Sequence, residues 1–270
     1  MNAPAAAQRK PRSVPQRQAA ARLLAAGDPS PITVEQARGE SDIVFVCDHA
    51  GRLVPRALGT LGLSKAELAS PSACDIGVSG MARQLSEQLD AILVMQNYSR
   101  LVIDCNRVPK ARDSIPTRCG SVKIAGNEKL APAGAAQRQK EIFAPYHDGL
   151  RTILDHRQRD NRRTLLVTLH SYVPSHPWQL GVMYRHDTRI AAVLLELLRQ
   201  EDGLEIGDNQ PYSFSEENDY TLPIHGEVRG IAHVGLEVRQ DLIANATGQG
   251  VWAGRLADVL VKMSKAVGDV

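Results

Sequence analysis

The sequence is short of signposts, and what it lacks narrows the field. Its four cysteines, at positions 47, 74, 105 and 119, form no CxxC pair, which leaves out cysteine zinc sites and thioredoxin-like redox motifs. Three of them lie in or beside apolar runs, where a free cysteine packs as a small hydrophobe, and a reducing cytoplasm is the expected setting. No stretch approaches the roughly 20 apolar residues of a membrane span, and the N-terminus lacks the apolar core of a secretory signal. The expectation is a soluble, unexported chain with no membrane partner. There is no GxSxG elbow, no P-loop, no HExxH and no GxGxxG opening a helix after a strand, so serine-hydrolase and nucleotide-binding readings have no support. Acidic residues are missing before Asp28, and the formal charge of +2 comes mostly from that segment, leaving the rest near neutral. No nucleic-acid partner is expected from so even a balance.

What is present is a chain of 270 residues with 43% hydrophobic and 23% charged content, enough for a sizeable core. Residues 1–30, rich in Ala, Arg, Gln and Pro, read as a mobile N-terminal extension with a possible helical piece at 18–26, and residues 31–270 as a single domain. Short apolar runs at 43–47, 91–96, 101–103, 165–169, 179–184 and 234–238 predict strands. Helices are expected over 77–89, 135–159, 190–200 and 251–267, and long loops over 108–132 and 207–223. Strand, helix, strand at 43–96 suggests a βαβ unit and therefore an α/β fold with parallel pairs. A connection as long as 108–132 is more often functional than idle, and it is expected to wall or cover a site. Oligomeric state is not written in the sequence.

Polar islands stand where the apolar runs stop: DHAG from Asp48, SRLVIDCNR from Ser99, TLHS from Thr168 and LEVRQDL from Leu236. In an open α/β sheet ligands bind beyond the carboxyl ends of the strands, so these islands are expected to converge. His49 and His170, each directly after an apolar strand, suit a catalytic zinc with three protein ligands and one open position. The bland alternative for each is a capping or core histidine. Asp48 is placed to orient His49. For the third ligand Asp75, ahead of the helix at 77–89, is preferred over His147, His225 and His233; its other reading is a helix-terminal Asp bonded to backbone N–H groups. Glu237 ends an otherwise apolar strand and is read either as a general base or as an ion-pair partner of Arg239. Arg100, Asn106, Arg107 and Arg239 supply forks and amides for an anionic substrate or an oxyanion, with surface ion pairing as the ordinary alternative; Asp104 is placed to tie down one of these guanidinia.

At these residues the chain resembles the N-formylglutamate amidohydrolase family, from about residue 41 to residue 257. The segments that carry the likeness are VCDHAGRLVP, SRLVIDCNRVP, KEIFAPYH, TLHSYVP, GDNQPYS, DYTLPIHG and LEVRQDLI. The resemblance implies a three-layer α/β/α fold around a central mixed, largely parallel sheet of the zinc carboxypeptidase-like, phosphorylase/hydrolase-like kind. It also implies an amidohydrolase in which His49 and His170 hold Zn2+, Glu237 is the general acid and base, and Asn106 with Arg107 grips a substrate carboxylate. In the carboxypeptidase-like pattern a Glu three residues after the first His is the second ligand; this sequence has Arg52 there, and Asp75 is the candidate in its place. Arg100 or Arg239 is expected to stabilise the oxyanion. The expected substrate is a small anionic N-acyl amino acid, with N-formyl-L-glutamate leading. The alternatives are a zinc peptidase or deacylase on another small amide, or a carboxylate-binding relative without turnover.

Overall fold

The computed structural model describes residues 22–215 and 217–268. In chain order its elements are β1 (Ile32–Glu35), β2 (Ile43–Cys47), α1 (Lys65–Leu68), α2 (Val78–Leu89), β3 (Ile92–Gln96), a small hairpin of β4 (Arg118–Cys119) and β5 (Val122–Lys123), α3 (Pro132–Arg138), α4 (Ala144–Arg159), β6 (Leu165–Tyr172), β7 (Leu180–Met183), α5 (Arg189–Arg199), β8 (Ile206–Asp208), β9 (Ala232–Arg239) and α6 (Ala246–Val267). Seven strands form one mixed sheet in the order β1-β3-β2-β6-β9-β7-β8. The centre is parallel, β3 with β2, β2 with β6 and β6 with β9; β1 and β7 run antiparallel to their inner neighbours. The fold is α/β, a mixed sheet with helices on both faces.

Alternation along the strands builds the two layers. Ile43, Phe45 and Cys47 of β2, with Leu165, Val167 and Leu169 of β6, face one core, closed by α2, α5 and α6. Val44, Val46 and Leu166 face the other, closed by Tyr146, Leu150 and Leu154 of α4. The inner strands are covered on both sides, which is why they read as unbroken apolar runs. Cys47, Cys74 and Cys105 are buried and, like Cys119, free.

Four departures from the sequence reading have local causes. Leu101–Ile103 is buried but is not a strand: the Leu101 carbonyl accepts from Asn127 Nδ2 (2.8 Å) and the Val102 carbonyl from the buried Arg138 (2.7 Å), so side chains satisfy the backbone that a sheet neighbour would. The helix expected over 135–159 is divided by a wide π turn at Gln139–Phe143, just before Pro145, whose ring and missing N–H disturb a regular ladder. Helix α6 starts earlier than expected because Asn245 caps it, accepting from the Gly248 amide at 3.0 Å. The edge strand β1, half-exposed and short, gives no strong periodic signal. Of the proposed extension, residues 1–21 lie outside the described residues, including residues 18–21 of the possible helical piece. Residues 22–26 are not helical; Leu23 is buried, and the amides of Leu23 and Leu24 donate to the Glu141 carboxylate at 3.1 and 2.9 Å.

On the α4 side lies a neutral histidine pair. His147 Nε2 meets the Cys105 carbonyl (2.8 Å) and its Nδ1 meets His225 Nε2 (3.0 Å), with the rings stacked. Burial, with the neighbouring His225, lowers His147 to about 3; burial, with Arg229 and Arg151, lowers His225 to about 4. An unfolded imidazole titrates near about 6.5, so below that pH the unfolded chain takes up protons that the fold refuses. Stability is therefore expected to fall as pH drops from about 6.5 toward about 4. Urea midpoints measured across that window should fall less steeply for a His147→Gln, His225→Gln double variant, and an unchanged slope would locate the effect elsewhere.

Candidate metal centre

Strands β2, β6 and β9 are parallel neighbours, so their carboxyl ends meet at one edge of the sheet, and the candidate residues gather there. His170 lies on β6 directly opposite Glu237 on β9 in the sheet register. Both sit on the faces of their strands opposite the α2, α5 and α6 core, in step with the alternation of Leu169 and Leu236. His49 follows β2, and the chain returns beside it at Asp75, whose amide donates to the His49 carbonyl at 2.9 Å. Two glycines hold this arrangement. Gly51 runs so close to β3 that a Cβ would lie 2.1 Å from the Asn97 carbonyl carbon, so its smallness serves the backbone and not a ligand. Gly77 adopts φ +79° between Asp75 and α2, and a Cβ there would meet the Ile243 carbonyl oxygen at 2.0 Å.

The side chains converge in a regular way. Asp75 Oδ2 stands 3.0 Å from His170 Nδ1 and 3.5 Å from His49 Nδ1. Each imidazole turns its other nitrogen to a different carboxylate: His49 Nε2 is 2.9 Å from Asp104 Oδ1, and His170 Nε2 is 3.8 Å from Asp48 Oδ2. Asp104 is itself held by Arg100, which donates through Nε (3.1 Å) and Nη2 (2.7 Å), and by the Asn106 amide (2.9 Å). Asp48 Oδ1 accepts from the Tyr146 and Thr221 hydroxyls, both at 2.8 Å. Asp48 thus faces His170 and not its sequence neighbour His49, because strand alternation sends it toward Tyr146 while His49 turns to the other loops.

These residues fit a metal ion. The ligating atoms of His49, Asp75 and His170 all lie within 4.8 Å of one another and all three residues are buried. Donors around a tetrahedral zinc stand about 3.3 Å apart, close to the two Nδ1 to Oδ2 distances. A histidine that gives its Nε2–H to a carboxylate offers its Nδ1 lone pair to a metal, and here both rings have a carboxylate on that side. His170 Nε2 and Asp48 Oδ2 are buried, face each other at 3.8 Å and have no hydrogen-bond partner. Arg52, three residues after His49, is exposed and does not line the cavity, whereas Asp75 stands beside both histidines.

The electrostatics show a site overloaded with negative charge. Burial alone would raise Asp75, but His49 and His170 hold it well below the usual carboxylate range; Asp104, likewise buried, is held down by Arg100 and His49. Burial would lower His170, yet the Asp75 hydrogen bond and the charges of Glu237, Asp75 and Asp48 raise it to about 9. Burial lifts Glu237 to about 7, outweighing its favourable histidine neighbour.

A cavity of about 400 Å³ opens over this cluster, lined by His49, Asp75, His170 and Glu237 and also by Arg100, Asn106 and Arg107. Arg107 is clasped by Asp113 (2.9 Å) and Asp219 (2.5 Å). The Asn106 amide oxygen accepts from the Thr221 N–H at 3.0 Å, which leaves its NH2 as the group able to reach a ligand. Arg239 is the exception among the sequence candidates. It bonds to Asp241 and the Pro177 carbonyl and does not line the cavity, so neither an oxyanion role nor a pairing with Glu237 falls to it. His147 and His225 are buried away from the cavity, and His233 bonds the Ile231 carbonyl. Sequence reasoning missed Asp113, Asp219, Met183 and Phe214 on the cavity wall; no local pattern marks them, since only the meeting of two long loops with β7 brings them there. The loop over 108–132 contributes Asp113 alone to this lining.

The model of the N-formylglutamate amidohydrolase family matches residues 41–244. The chain belongs to that family. It is a hydrolase of C–N amide bonds, and its His49, Asp75, His170 cluster can hold a metal ion. Among solved structures it is similar to the gene product Atu2144 from Agrobacterium tumefaciens, at 33% identity over 92% of this chain and 100% of that one, with a TM-score of 0.88. It shares the fold of the N-formylglutamate amidohydrolase from Ralstonia eutropha JMP134, at 17% identity over 88% of this chain and 98% of that one, TM-score 0.67. No curated protein matches the chain.

Since His170 titrates at about 9, the metal-free protein carries a proton there at pH 7 that a metal ion must displace. Calorimetric titration with zinc or cobalt in two buffers of different ionisation enthalpy is expected to show release of about one proton per ion bound. Binding without proton release would place the ion elsewhere.

Proposed function

We propose that this member hydrolyses the amide bond of a small N-acyl amino acid, in the first instance an N-formyl amino acid, at a zinc centre held by His49, Asp75 and His170. The observation that carries the reading is the convergence of two Nδ1 atoms and one carboxylate oxygen in a cavity also lined by the buried Glu237, directly opposite His170. When bound, zinc supplies Lewis-acid polarisation of a carbonyl and lowers the pKa of water toward about 7.

The chain's own groups supply the rest. Glu237, lifted to about 7 by burial, suits both accepting a proton from the attacking water and returning it to the departing amine nitrogen. Arg100, fixed by Asp104 at the cavity wall, places a guanidinium where negative charge develops on the carbonyl oxygen. Asn106 and Arg107 bind a substrate carboxylate and so fix the amide over Glu237. Asp104 keeps His49 in the tautomer that presents Nδ1, and Asp48 faces His170 Nε2 at 3.8 Å. A cytoplasmic location agrees with the four free cysteines.

Formate release from N-formyl amino acids, alongside acetyl and peptide substrates, tests this directly. Zinc-loaded protein is expected to turn over the formyl series. Glu237→Gln should keep its zinc and lose roughly 10²- to 10⁴-fold in kcat, whereas His170→Ala should lose the metal. A folded, zinc-loaded wild type inactive across the whole panel would end the reading.

A further inference from the structure

The charges around the cavity say what kind of amino acid it accepts. Among the described residues that line it, the guanidinia are those of Arg100 and Arg107, and the carboxylates are those of Asp75, Asp113, Asp219 and Glu237. Both guanidinia are already matched. Arg100 spends Nε and Nη2 on Asp104, and its Nη1 lies 3.8 Å from Asp75 Oδ1. Arg107 spends Nε on Asp113 and Nη1 on Asp219. With Glu237 ionised, a divalent ion on His49, Asp75 and His170 would bring the lining to neutrality.

One substrate carboxylate can be met, by the Asn106 NH2 and the remaining Nη2 of Arg107. A second carboxylate, on the side chain, would find no uncompensated guanidinium in the lining, since Asp104 holds Arg100 and Asp113 with Asp219 holds Arg107. The rest of the wall is neutral. Tyr172 and Tyr212 meet edge to face at 6.3 Å, Val173 lies beside them, and Phe214 and Met183 lie over Gly235, two residues before Glu237 and on the same face of β9. Aromatic and thioether surfaces with flanking Ser213 and Ser215 suit an uncharged side chain that is apolar or bears an amide.

We infer, on the hydrolase reading above, that this site is built for an N-acyl amino acid with a single carboxylate and an uncharged side chain, and that it discriminates against N-formyl-L-glutamate. N-formyl-L-glutamine is the decisive probe, because it has the shape of N-formyl-L-glutamate without the second charge. Removing one clasp on Arg107 by Asp113→Asn should free a guanidinium edge and shift preference back toward glutamate.

The experiment compares the two compounds on zinc-loaded wild type by kcat/KM, and on zinc-loaded Glu237→Gln by calorimetric Kd. The variant removes a carboxylate and so biases binding toward glutamate, against the inference. The expected result is a preference for N-formyl-L-glutamine of about tenfold or more in both measurements, with the ratio falling in Asp113→Asn. Hydrolysis of both with glutamate equal or preferred overturns the inference and leaves the hydrolase reading standing. Hydrolysis of neither, with glutamine still bound more tightly by the variant, overturns the hydrolase reading while supporting the pocket's charge preference. Binding of neither overturns both.

Discussion

The Asp75 carboxylate, buried between two imidazoles, is the contact on which the rest of the site depends. Its Oδ2 lies 3.0 Å from His170 Nδ1 and 3.5 Å from His49 Nδ1, and its amide is tied to the His49 carbonyl. Asp48 and Asp104 stand behind the same two rings, so three carboxylates share one buried neighbourhood. Such a concentration of negative charge is costly unless cations compensate it. The His170 proton and the Arg100 guanidinium do so in the metal-free protein; a metal ion on the three ligands would do so with better geometry. The fold keeps the cluster in place by seating its parts on parallel strand ends and on loops held by backbone contacts that tolerate no Cβ at Gly51 or Gly77.

The second consequence is a division of labour between the two carboxylate types. Asp75 and Asp104 are held ionised by histidine and arginine neighbours, whereas burial pushes Glu237 up to about 7. Groups whose environments drive their proton affinities apart are suited to different roles, fixed charge for one and proton transfer for the other. Glu237 reaches this state because it lies on a strand buried from Ala232 to Val238.

Much of this was legible in the sequence because strand ends are. The runs ending at Cys47, Leu169 and Leu236 announce parallel strands, and a charged or imidazole residue directly after or within each has few reasons to be there; His49, His170 and Glu237 follow from that. Asp75 could be named but not placed, since an Asp ahead of a helix has a common structural use, and only the bond from its amide to the His49 carbonyl brings it to the cluster. Asp48 was assigned to the wrong histidine because adjacency in sequence is not adjacency across a pleated strand. Arg239 looked equivalent to Arg100, but the strand ends there and Asp241, two residues on, claims it. The Asp219 arm of the clasp on Arg107 was invisible, since it joins loops 112 residues apart, and Asp113, 6 residues on, has no periodic pattern to mark it. Leu101–Ile103 misled for a related reason: its backbone is satisfied by Asn127 and Arg138, which no apolar pattern can announce.

The claim at the centre is that one metal ion sits between His49 Nδ1, His170 Nδ1 and Asp75 Oδ2, in the cavity lined by Glu237. Anomalous diffraction at the zinc edge from crystals of the zinc-loaded protein tests it most directly. The account requires a single strong peak within bonding distance of those three atoms. A peak at Cys105 or at the His147 and His225 pair, with none at Asp75, would contradict it.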